Sequence, residues 1–251
     1  MKSFCDMNSE KEIDKRLLCC AKLVRTGSVA AVIGSDHAYL PIYLVKMRIC
    51  PSAIASDINE GPVNRAKLNV AVSGLSKKIT VMKADGLDEA AKLSPDDIII
   101  AGMGGELIRD IIDASEYVKN PNVRLILQPM TMPEILREYL AENGFDIVEE
   151  TVCVAADKCY QIISAHFDGQ KRKFDRVTLL LGEKNIERMS LSPTADDTEM
   201  LCRTVDAVER RINGRKMSQT PDVCAIKWDE ELVAFCKKLL WGNGDKNANC
   251  K

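Results

Sequence analysis

The sequence has little of what several common classes of protein depend on. Only two histidines occur in 251 residues, and the ten cysteines form no C-x-x-C pair, so no zinc cluster or other metal site is expected. No apolar run reaches the roughly 20 residues that cross a bilayer. The first 16 residues are polar and charged, without the apolar stretch of a secretory signal. We therefore expect a cytoplasmic protein with reduced cysteines, no metal and no membrane contact.

The composition is that of a folded protein of moderate size. Hydrophobic residues make up 46% of the chain and charged residues 29%, enough for one core and a smaller appendage. The formal net charge is −2, so any nucleic-acid site would have to be a local basic patch rather than a basic domain. These numbers leave the oligomeric state open, a monomer included.

Short apolar runs alternate with helical patterns along the first two thirds of the chain, which predicts a parallel sheet with crossover helices. Strands are expected at 29–33, 53–56, 79–82, 97–101 and 123–127, and helices near 38–48, 62–73, 87–92, 106–114 and 132–143. Two further strand-like runs, 146–154 and 160–167, are too close together for a crossover helix, so they predict an antiparallel hairpin at the sheet edge. The expected fold is α/β, with a Rossmann-like methyltransferase sheet.

The pattern becomes purely helical after residue 167. Apolar residues repeat with three-four spacing, as at Leu201, Val205 and Val208, which predicts either a coiled-coil-like helical hairpin or a helical cap on the sheet. Asn213-Gly214 and Thr220-Pro221 are expected to separate helices. We therefore predict a cofactor-binding domain over 1–167, a helical domain over 168–241 and a disordered tail over 242–251.

The end of the first strand carries the first candidate site. Gly34 lies where a doubly wound sheet binds its ligand, and glycine lets a cofactor approach the backbone closely. No G-x-G-x-x-G motif follows, which argues against a dinucleotide. Asp36 and His37 place a carboxylate and an imidazole at the mouth of this crevice, although Asp36 could instead cap the next helix.

Three other strand ends add polar groups and glycines. Asp57 ends the second strand and could accept hydrogen bonds from ribose hydroxyls, and Asp85-Gly86 is either an adenine-binding turn or an ordinary one. A glycine-rich segment at 101–105 follows the fourth strand, without the Asn/Asp-Pro-Pro-aromatic loop of many amino-group methyltransferases. A nucleophile that already has a lone pair is therefore favoured.

Three strings, I-G-S-D-H-A-Y-L-P at 33–41, A-G-M-G-G at 101–105 and I-L-Q-P at 126–129, closely resemble the bacterial TrmK family. Its members are tRNA (adenine-N1)-methyltransferases that act at position 22, in the D-arm region of tRNA. The resemblance implies S-adenosyl-L-methionine as cofactor, tRNA as partner and direct displacement of the methyl group by adenine N1. It also implies that Asp36 works at the target adenine, where it could stabilise the charge that forms on the base.

The resemblance and the strand ends together give two sets of site residues. The predicted cofactor-binding residues are Gly34, Ser35, His37, Asp57, Ile58, Asp85, Gly86, Leu87, Ala101, Gly102 and Met103. The predicted substrate-binding residues are Tyr39, Gly104, Gln128 and Pro129, with Arg16 and Arg25 as phosphate contacts.

One position departs from the family pattern. The family usually has an acidic residue where this sequence has Val32, and that carboxylate helps organise the loop facing the methionine moiety of the cofactor. Its loss favours weaker cofactor binding. Two alternatives therefore stay open: a methyltransferase of the same fold with another substrate, and a catalytically weakened module that binds tRNA. A nicotinamide oxidoreductase is disfavoured by the missing glycine motif.

Overall fold

The computed structural model describes residues 13–155, 157–220 and 222–242. Its strands are β1 (Ala30–Ile33), β2 (Ala53–Asp57), β3 (Ile79–Lys83), β4 (Asp97–Met103), β5 (Arg124–Pro129), β6 (Phe145–Ala155) and β7 (Lys158–Phe167). They form one seven-stranded sheet in the order β3-β2-β1-β4-β5-β7-β6. The first five strands are parallel, whereas β7 runs antiparallel to β5 and β6. The predicted parallel sheet with an antiparallel edge hairpin is confirmed.

Helices cover both faces of the sheet and one edge. They are α1 (Lys15–Leu23), α2 (Tyr39–Lys46), α3 (Glu60–Val72), α4 (Asp88–Ala91), α5 (Gly105–Asp113), α6 (Pro133–Glu142), α7 (Arg176–Leu181), α8 (Glu183–Leu191), α9 (Ala195–Lys216) and α10 (Val223–Trp241), with a 3₁₀ turn at Glu116–Lys119.

Alternating side chains of the parallel strands point into two apolar layers. In β4, Ile98 and Ile100 pack with α4, α5 and α6, whereas Ile99 packs on the other face with α1 and α2. The helix α3 completes this second face through Ala66 and Val70 against β2 and β3. Burial on both faces explains why these strands are continuous apolar runs in the sequence.

The C-terminal helices have an apolar cluster of their own, built against the edge strand. Val205 and Val208 of α9 pack with Leu232 of α10 and with Val152 of β6. Ion pairs Lys237–Glu209 and Lys216–Glu230, both 2.7 Å, fix the antiparallel register of α9 and α10. The helical stripe therefore forms both a hairpin and a cover for the sheet edge, so the two predicted alternatives are not exclusive.

The expected break at Asn213-Gly214 is wrong, because α9 continues through both residues to Lys216. Arg211 and Arg215 flank this pair, and both bind the buried carboxylate of Asp229 on α10. Helix pairing outweighs the roughly 1 kcal/mol that a glycine costs within a helix. The second expected break falls between α9 and α10, although Pro221 itself lies outside the described residues. Of the predicted disordered tail, only Gly242 is described.

A buried ion pair joins the sheet to the C-terminal helices. Arg137 of α6 and Glu150 of β6 are 1% and 0% exposed in their side chains, and Nε lies 2.6 Å from Oε1. The guanidinium also donates to the backbone oxygen of Leu179 at 2.8 Å. The second carboxylate oxygen accepts the backbone N–H of Lys184, at the start of α8, at 3.0 Å. One pair of charges thus fixes three helices and the edge hairpin.

The cysteines are mostly inert thiols within the described residues. Cys20, Cys50, Cys153 and Cys236 are buried and free, and burial raises the pKa of Cys20 and of Cys153 to about 12. These thiols therefore stay protonated at neutral pH. Cys202 is disulfide-bonded, so the expectation of reduced cysteines is wrong at this position. Among the described helices, none has the length and apolar content needed to cross a membrane.

Replacing Arg137 with Met should lower the free energy of unfolding by about 3–5 kcal/mol, because Glu150 would keep a buried charge without its partner. Urea unfolding measures the loss. The matched control is Arg109→Met, which breaks the exposed 2.8 Å contact of Arg109 with Asp110 and should leave the free energy of unfolding almost unchanged. Equal losses in the two variants would contradict the role given to the buried pair.

Candidate active site

The candidate site lies at the carboxyl edge of the sheet, where β1 and β4 are neighbours and strand order reverses. Gly34 follows β1 with φ +69°, and a Cβ built there would lie 2.1 Å from the Cε of Met103. The Met103 side chain therefore crosses the gap between the two strand ends. Both loops approach each other this closely because residue 34 has no side chain.

The segment after Gly34 forms a tight turn in which two successive residues, His37 and Ala38, have a positive φ. The N–H of Ser35 donates to the carbonyl of Ser56 on β2 at 2.8 Å. His37 and Ala38 have φ +63° and +54°, and the Asn69 side chain holds the His37 carbonyl at 2.9 Å. Ala38 is the N-cap of α2, so Asp36 is not its capping residue. The alternative role of Asp36, as the cap of the next helix, is therefore excluded.

Asp36 presents its carboxylate at the surface of this edge, where it is about half exposed. Arg65 of α3 contacts its Oδ1 through Nε at 3.1 Å and Nη2 at 2.9 Å. The other oxygen, Oδ2, lies 3.5 Å from Nε2 of His37. A guanidinium on one side and an imidazole on the other fix the direction of the carboxylate. This arrangement suits a group that must meet a polar substrate.

The ends of β2 and β3 lie beside this turn. Asp57 ends β2, and its Oδ1 accepts the N–H of Asn59 at 2.8 Å. Ile58 next to it is an exposed apolar side chain, at 53%. The carbonyl of Asp57 accepts the N–H of Ala84, which brings the exposed Asp85 to the same edge. A carboxylate next to an apolar surface matches the ribose and base of a nucleoside.

The remaining residues of the predicted cofactor set also lie at this edge. Gly86 has φ +74°, and Leu87 is buried beneath it as part of the core. In β4, the pairing shifts between Ala101, opposite Gln128, and Met103, opposite Pro129, so Gly102 is an extra residue with φ +85°. Such β-bulges redirect the chain near functional sites.

The side chain of Gln128 holds this bulge in place. The amide is fully buried, and its Oε1 accepts the N–H of Gly102 at 3.0 Å and a hydrogen bond from Nη1 of Arg16. Its Nε2 donates to the carbonyl of Pro129 at 2.8 Å. Arg16 also lies over the ring of Tyr160, 5.9 Å from its centroid. Arg16 and Gln128 are therefore positioned to shape the loop, more directly than to contact phosphate.

Two glycines bring the loops after β4 and β5 together. The Gly105 N–H donates to the carbonyl of Thr131 at 2.8 Å, and a Cβ at residue 105 would lie 2.2 Å from the carbonyl oxygen of Met132. A Cβ on Gly104, the N-cap of α5, would lie 3.3 Å from Oγ1 of Thr131. The exposed side chains of Met130 and Met132 form the rim here.

Tyr39 and Arg25, both predicted to bind the substrate, lie at opposite edges of the sheet. Tyr39 lies at the carboxyl edge, 45% exposed, with its ring stacked on His37 at a centroid distance of 5.1 Å. Arg25 lies at the opposite, amino edge, where its Nε donates at 2.6 Å to the buried Asp97, the first residue of β4. Its guanidinium is used in holding strand starts together, so we withdraw Arg25 from the substrate set.

Sequence patterns missed several contributors. Arg65 and Asn69 lie on the middle of α3 and reach back to Asp36 and to the His37 carbonyl. Gly105 belongs to the glycine-rich segment 101–105 but to neither predicted set of site residues, although the loop crossing depends on it. The spacing of Arg65 and Asn69, four residues apart on one helix face, indicates only that they share a direction. Their partners are thirty residues away, and local pattern does not reveal them.

Val32, the departure from the family pattern, is a buried strand residue. It is 5% exposed, pairs with Ala55 and Ile99 on the neighbouring strands, and packs with Leu40 and Leu44 of α2. Apolar neighbours of this kind accommodate valine without leaving a polar group unpaired.

The fold and the glycine-lined edge are those of a methyltransferase domain, and the family model described as "Methyltransferase domain" matches residues 13–163. The chain is 38% identical to the tRNA (adenine(22)-N(1))-methyltransferase of Bacillus subtilis (strain 168) over 174 residues, or 69% of this chain and 73% of the relative. The chain thus belongs to the TrmK family, the tRNA (adenine(22)-N1)-methyltransferases.

Solved structures agree over a longer part of the chain. The B. subtilis m1A22 tRNA methyltransferase TrmK superposes with a TM-score of 0.76 at 29% identity, covering 91% of this chain and 98% of that one. A Streptococcus pneumoniae protein, described as a candidate tRNA (m1A22) methyltransferase and solved in complex with S-adenosyl-L-methionine, gives 0.74 at 31% identity, covering 91% and 99%.

The contact between Gly34 and Met103 is testable by substitution. Gly34→Ala should destabilise the protein by about 1–2 kcal/mol for the positive φ, plus a smaller cost for displacing the terminal methyl group of the flexible Met103 side chain. The control is Gly27→Ala, since Gly27 also has a positive φ, +89°, but has nothing within 4 Å of a new Cβ. Urea unfolding compares the two.

Adding Met103→Ala to the Gly34→Ala variant should recover the steric part of that loss, since the two substitutions are coupled. If Gly34→Ala and Gly27→Ala cost the same, or if Met103→Ala gives no recovery, the two strand ends do not constrain each other as described.

Proposed function

We propose that this protein transfers a methyl group from S-adenosyl-L-methionine to N1 of adenine 22 in the D-arm region of tRNA. The observation that carries the proposal is the Asp36 carboxylate, which the turn after β1 presents beside a glycine-lined crevice. Family membership supports the substrate, and the relative solved with S-adenosyl-L-methionine supports the cofactor.

The residues at the carboxyl edge fit S-adenosyl-L-methionine. Gly34 and Gly102 leave backbone without side chains on either side of the switch point, where the methionine part would lie. Asp57 uses Oδ1 for the Asn59 N–H, and Oδ2 has no hydrogen-bond partner among the described residues, so it is suited to ribose hydroxyls. The exposed Ile58 offers an apolar surface to the adenine ring.

When bound, S-adenosyl-L-methionine supplies an electrophilic sulfonium methyl for direct displacement by adenine N1. Asp36 accepts a hydrogen bond from the 6-amino group of the target adenine and stabilises the positive charge that develops on the base. Arg65 and His37 hold the carboxylate in that direction. The exposed ring of Tyr39, close to Asp36, offers a stacking surface to the base.

Access to N1 requires the base to leave its stack, because N1 lies on the Watson–Crick edge. Exposed methionines and Tyr39 around the crevice are surfaces that a displaced base could contact. We further propose that the chain divides into two domains near residue 167. The first domain binds the cofactor, and both domains contact tRNA. A cytoplasmic location completes the proposal, since the substrate is tRNA.

The test is incubation of the purified protein with an unmodified tRNA transcript and S-adenosyl-L-methionine, followed by mapping of reverse-transcription stops. N1-methylated adenine blocks base pairing, so a new stop is expected at adenine 22 and nowhere else. A stop at another position would favour a methyltransferase with another substrate. Cofactor binding without any stop would favour a module that only binds tRNA, the alternative raised by Val32.

Asp36→Ala should lower kcat at least about 100-fold, because a group that stabilises charge only in the transition state is lost. Its dissociation constant for S-adenosyl-L-methionine, measured by calorimetry, should stay nearly unchanged. Asp110→Ala, which removes an exposed carboxylate from α5, is the control and should retain full activity. A large loss of cofactor affinity in Asp36→Ala would assign this carboxylate to the cofactor instead.

Asp57→Asn should have the opposite signature. A carboxylate that accepts hydrogen bonds from ribose contributes about 1.5–3 kcal/mol, so cofactor affinity should fall about 10-fold or more while kcat at saturating cofactor changes little. Calorimetry and saturation kinetics separate the two effects. Unchanged affinity in Asp57→Asn would remove Asp57 from the cofactor site.

A further inference from the structure

A cavity of about 600 Å³, separate from the active-site crevice, lies between the sheet and the C-terminal helices. Strand β7 and helices α7, α9 and α10 surround it, and its apolar lining includes Leu180, Met200, Val208 and Trp228. This volume is within the range of small-molecule sites, which bind an apolar body through a few placed polar groups. None of the catalytic residues proposed above lines it.

Four arginines, Arg176, Arg203, Arg211 and Arg215, also line the cavity. Arg211 and Arg215 share the fully buried Asp229, and Arg203 pairs with Glu199 at 2.5 Å. Asp229 neutralises only one of the two arginines that bind it, so one positive charge remains at this pair of arginines. Glu199 neutralises Arg203. The two cavity guanidiniums bound to Asp229 are therefore fixed in place, with N–H groups still available to a further acceptor.

Arg176 has no carboxylate partner among the described residues. Its guanidinium lies over the ring of Trp228, 4.2 Å from the centroid. Glu134 is the one carboxylate among the described side chains that line the cavity. Counting Glu134, Glu199 and Asp229 against the four arginines leaves one net positive charge. The cavity therefore suits a ligand with a flat or apolar body and one negative charge.

Part of the cavity lining lies at the same edge of the sheet as the active site. Ile163 of β7 pairs with Leu127 of β5, so Cys159 and Gln161, which line the cavity, lie beyond that pair on the carboxyl side. Glu134 follows directly after the rim loop of the crevice. With about 4.8 Å between strands, β7 lies about 15 Å from β1. A chain of a few nucleotides spans that distance.

We propose that this cavity binds one nucleotide of the tRNA other than the target adenine, with its base against the leucines and the Arg176 guanidinium that covers Trp228, and its phosphate on Arg211 and Arg215. The proposal rests on the proposed function, because it takes tRNA as the substrate. RNA bases that leave the helix stack on aromatic rings or on arginine planes, and phosphodiesters pair with guanidinium groups. One phosphodiester matches the single excess charge.

Arg176→Ala tests the proposal with little structural disturbance, since Arg176 is exposed, lies over Trp228 and forms no ion pair within 4 Å among the described residues. The dissociation constant for tRNA should rise about 5- to 10-fold, and the slope of log K against log salt should fall by about one. The kcat at saturating tRNA should not change. Arg176→Lys, which keeps the charge without the planar group, should lie in between.

Arg210→Ala is the matched control. Arg210 is on α9, is exposed, and donates to the carbonyl of Asp206 at 3.1 Å without lining the cavity. It removes the same charge from the same domain. If Arg176→Ala and Arg210→Ala weaken tRNA binding equally, the effect is general electrostatics and the proposal is overturned.

A second measurement does not depend on methyl transfer. In a Trp241→Phe background, Trp228 is the one tryptophan left in the sequence, and its fluorescence should change on titration with the methyl ester of adenosine 5′-monophosphate, a mononucleotide with one negative charge, while S-adenosylhomocysteine blocks the crevice. Arg176→Ala should abolish this change. An equal response to inorganic phosphate alone would overturn the proposal, as would mononucleotide binding combined with unchanged tRNA affinity in Arg176→Ala.

The two proposals fail separately. A wild-type protein that gives no stop at adenine 22 refutes the proposed function, whatever the cavity binds. A wild-type protein that methylates adenine 22 but shows neither nucleotide binding in the cavity nor an Arg176-specific loss of tRNA affinity refutes only the cavity assignment.

Discussion

The buried pair of Arg137 and Glu150 is the interaction on which the arrangement of the molecule depends. It joins α6, on one face of the sheet, to the edge strand β6, and its remaining hydrogen-bonding groups reach α7 and α8. A buried charge pair is stable only when every polar atom is satisfied, so these elements must keep their relative positions. A Cβ at residue 182 would clash with the carboxylate of Glu150, so only glycine fits where these elements meet.

At the active-site edge, a buried neutral side chain likewise has its polar atoms satisfied by hydrogen bonds. Gln128, fully buried, satisfies the Gly102 N–H and the Pro129 carbonyl and accepts from Arg16. The bulge in β4, the end of β5 and the helix α1 are thereby held together. Hydrogen bonds within the protein therefore fix the shape of the glycine-lined crevice, as the preorganised electrostatic stabilisation in the proposed mechanism requires.

Much of the fold could be predicted from the sequence because the relevant signals are local. The period of the apolar residues predicts the strands that form the sheet. The edge hairpin followed from the short segment between its strands. The helix break predicted at Gly214 is wrong, because the helix-breaking tendency of glycine is outweighed by two arginines that bind the next helix.

The site was predictable in part, for the same reason. Strand ends locate Asp36, Asp57 and Gly102 at one edge, since parallel strands place their carboxyl ends together. The ion pair of Asp36 with Arg65 joins residues 29 apart in the chain, and no local pattern marks it. Arg25 was misassigned because a basic residue near a helix end does not show which edge of the sheet it faces; its partner is Asp97, 72 residues away.

The central claim is that one adenine, at position 22, receives the methyl group. The most direct measurement is incorporation of tritiated methyl from S-adenosyl-L-methionine into two tRNA transcripts that differ only by adenine or guanine at position 22. The account predicts stoichiometric incorporation into the first transcript and background counts in the second. Equal incorporation into both, or none into either, would contradict it.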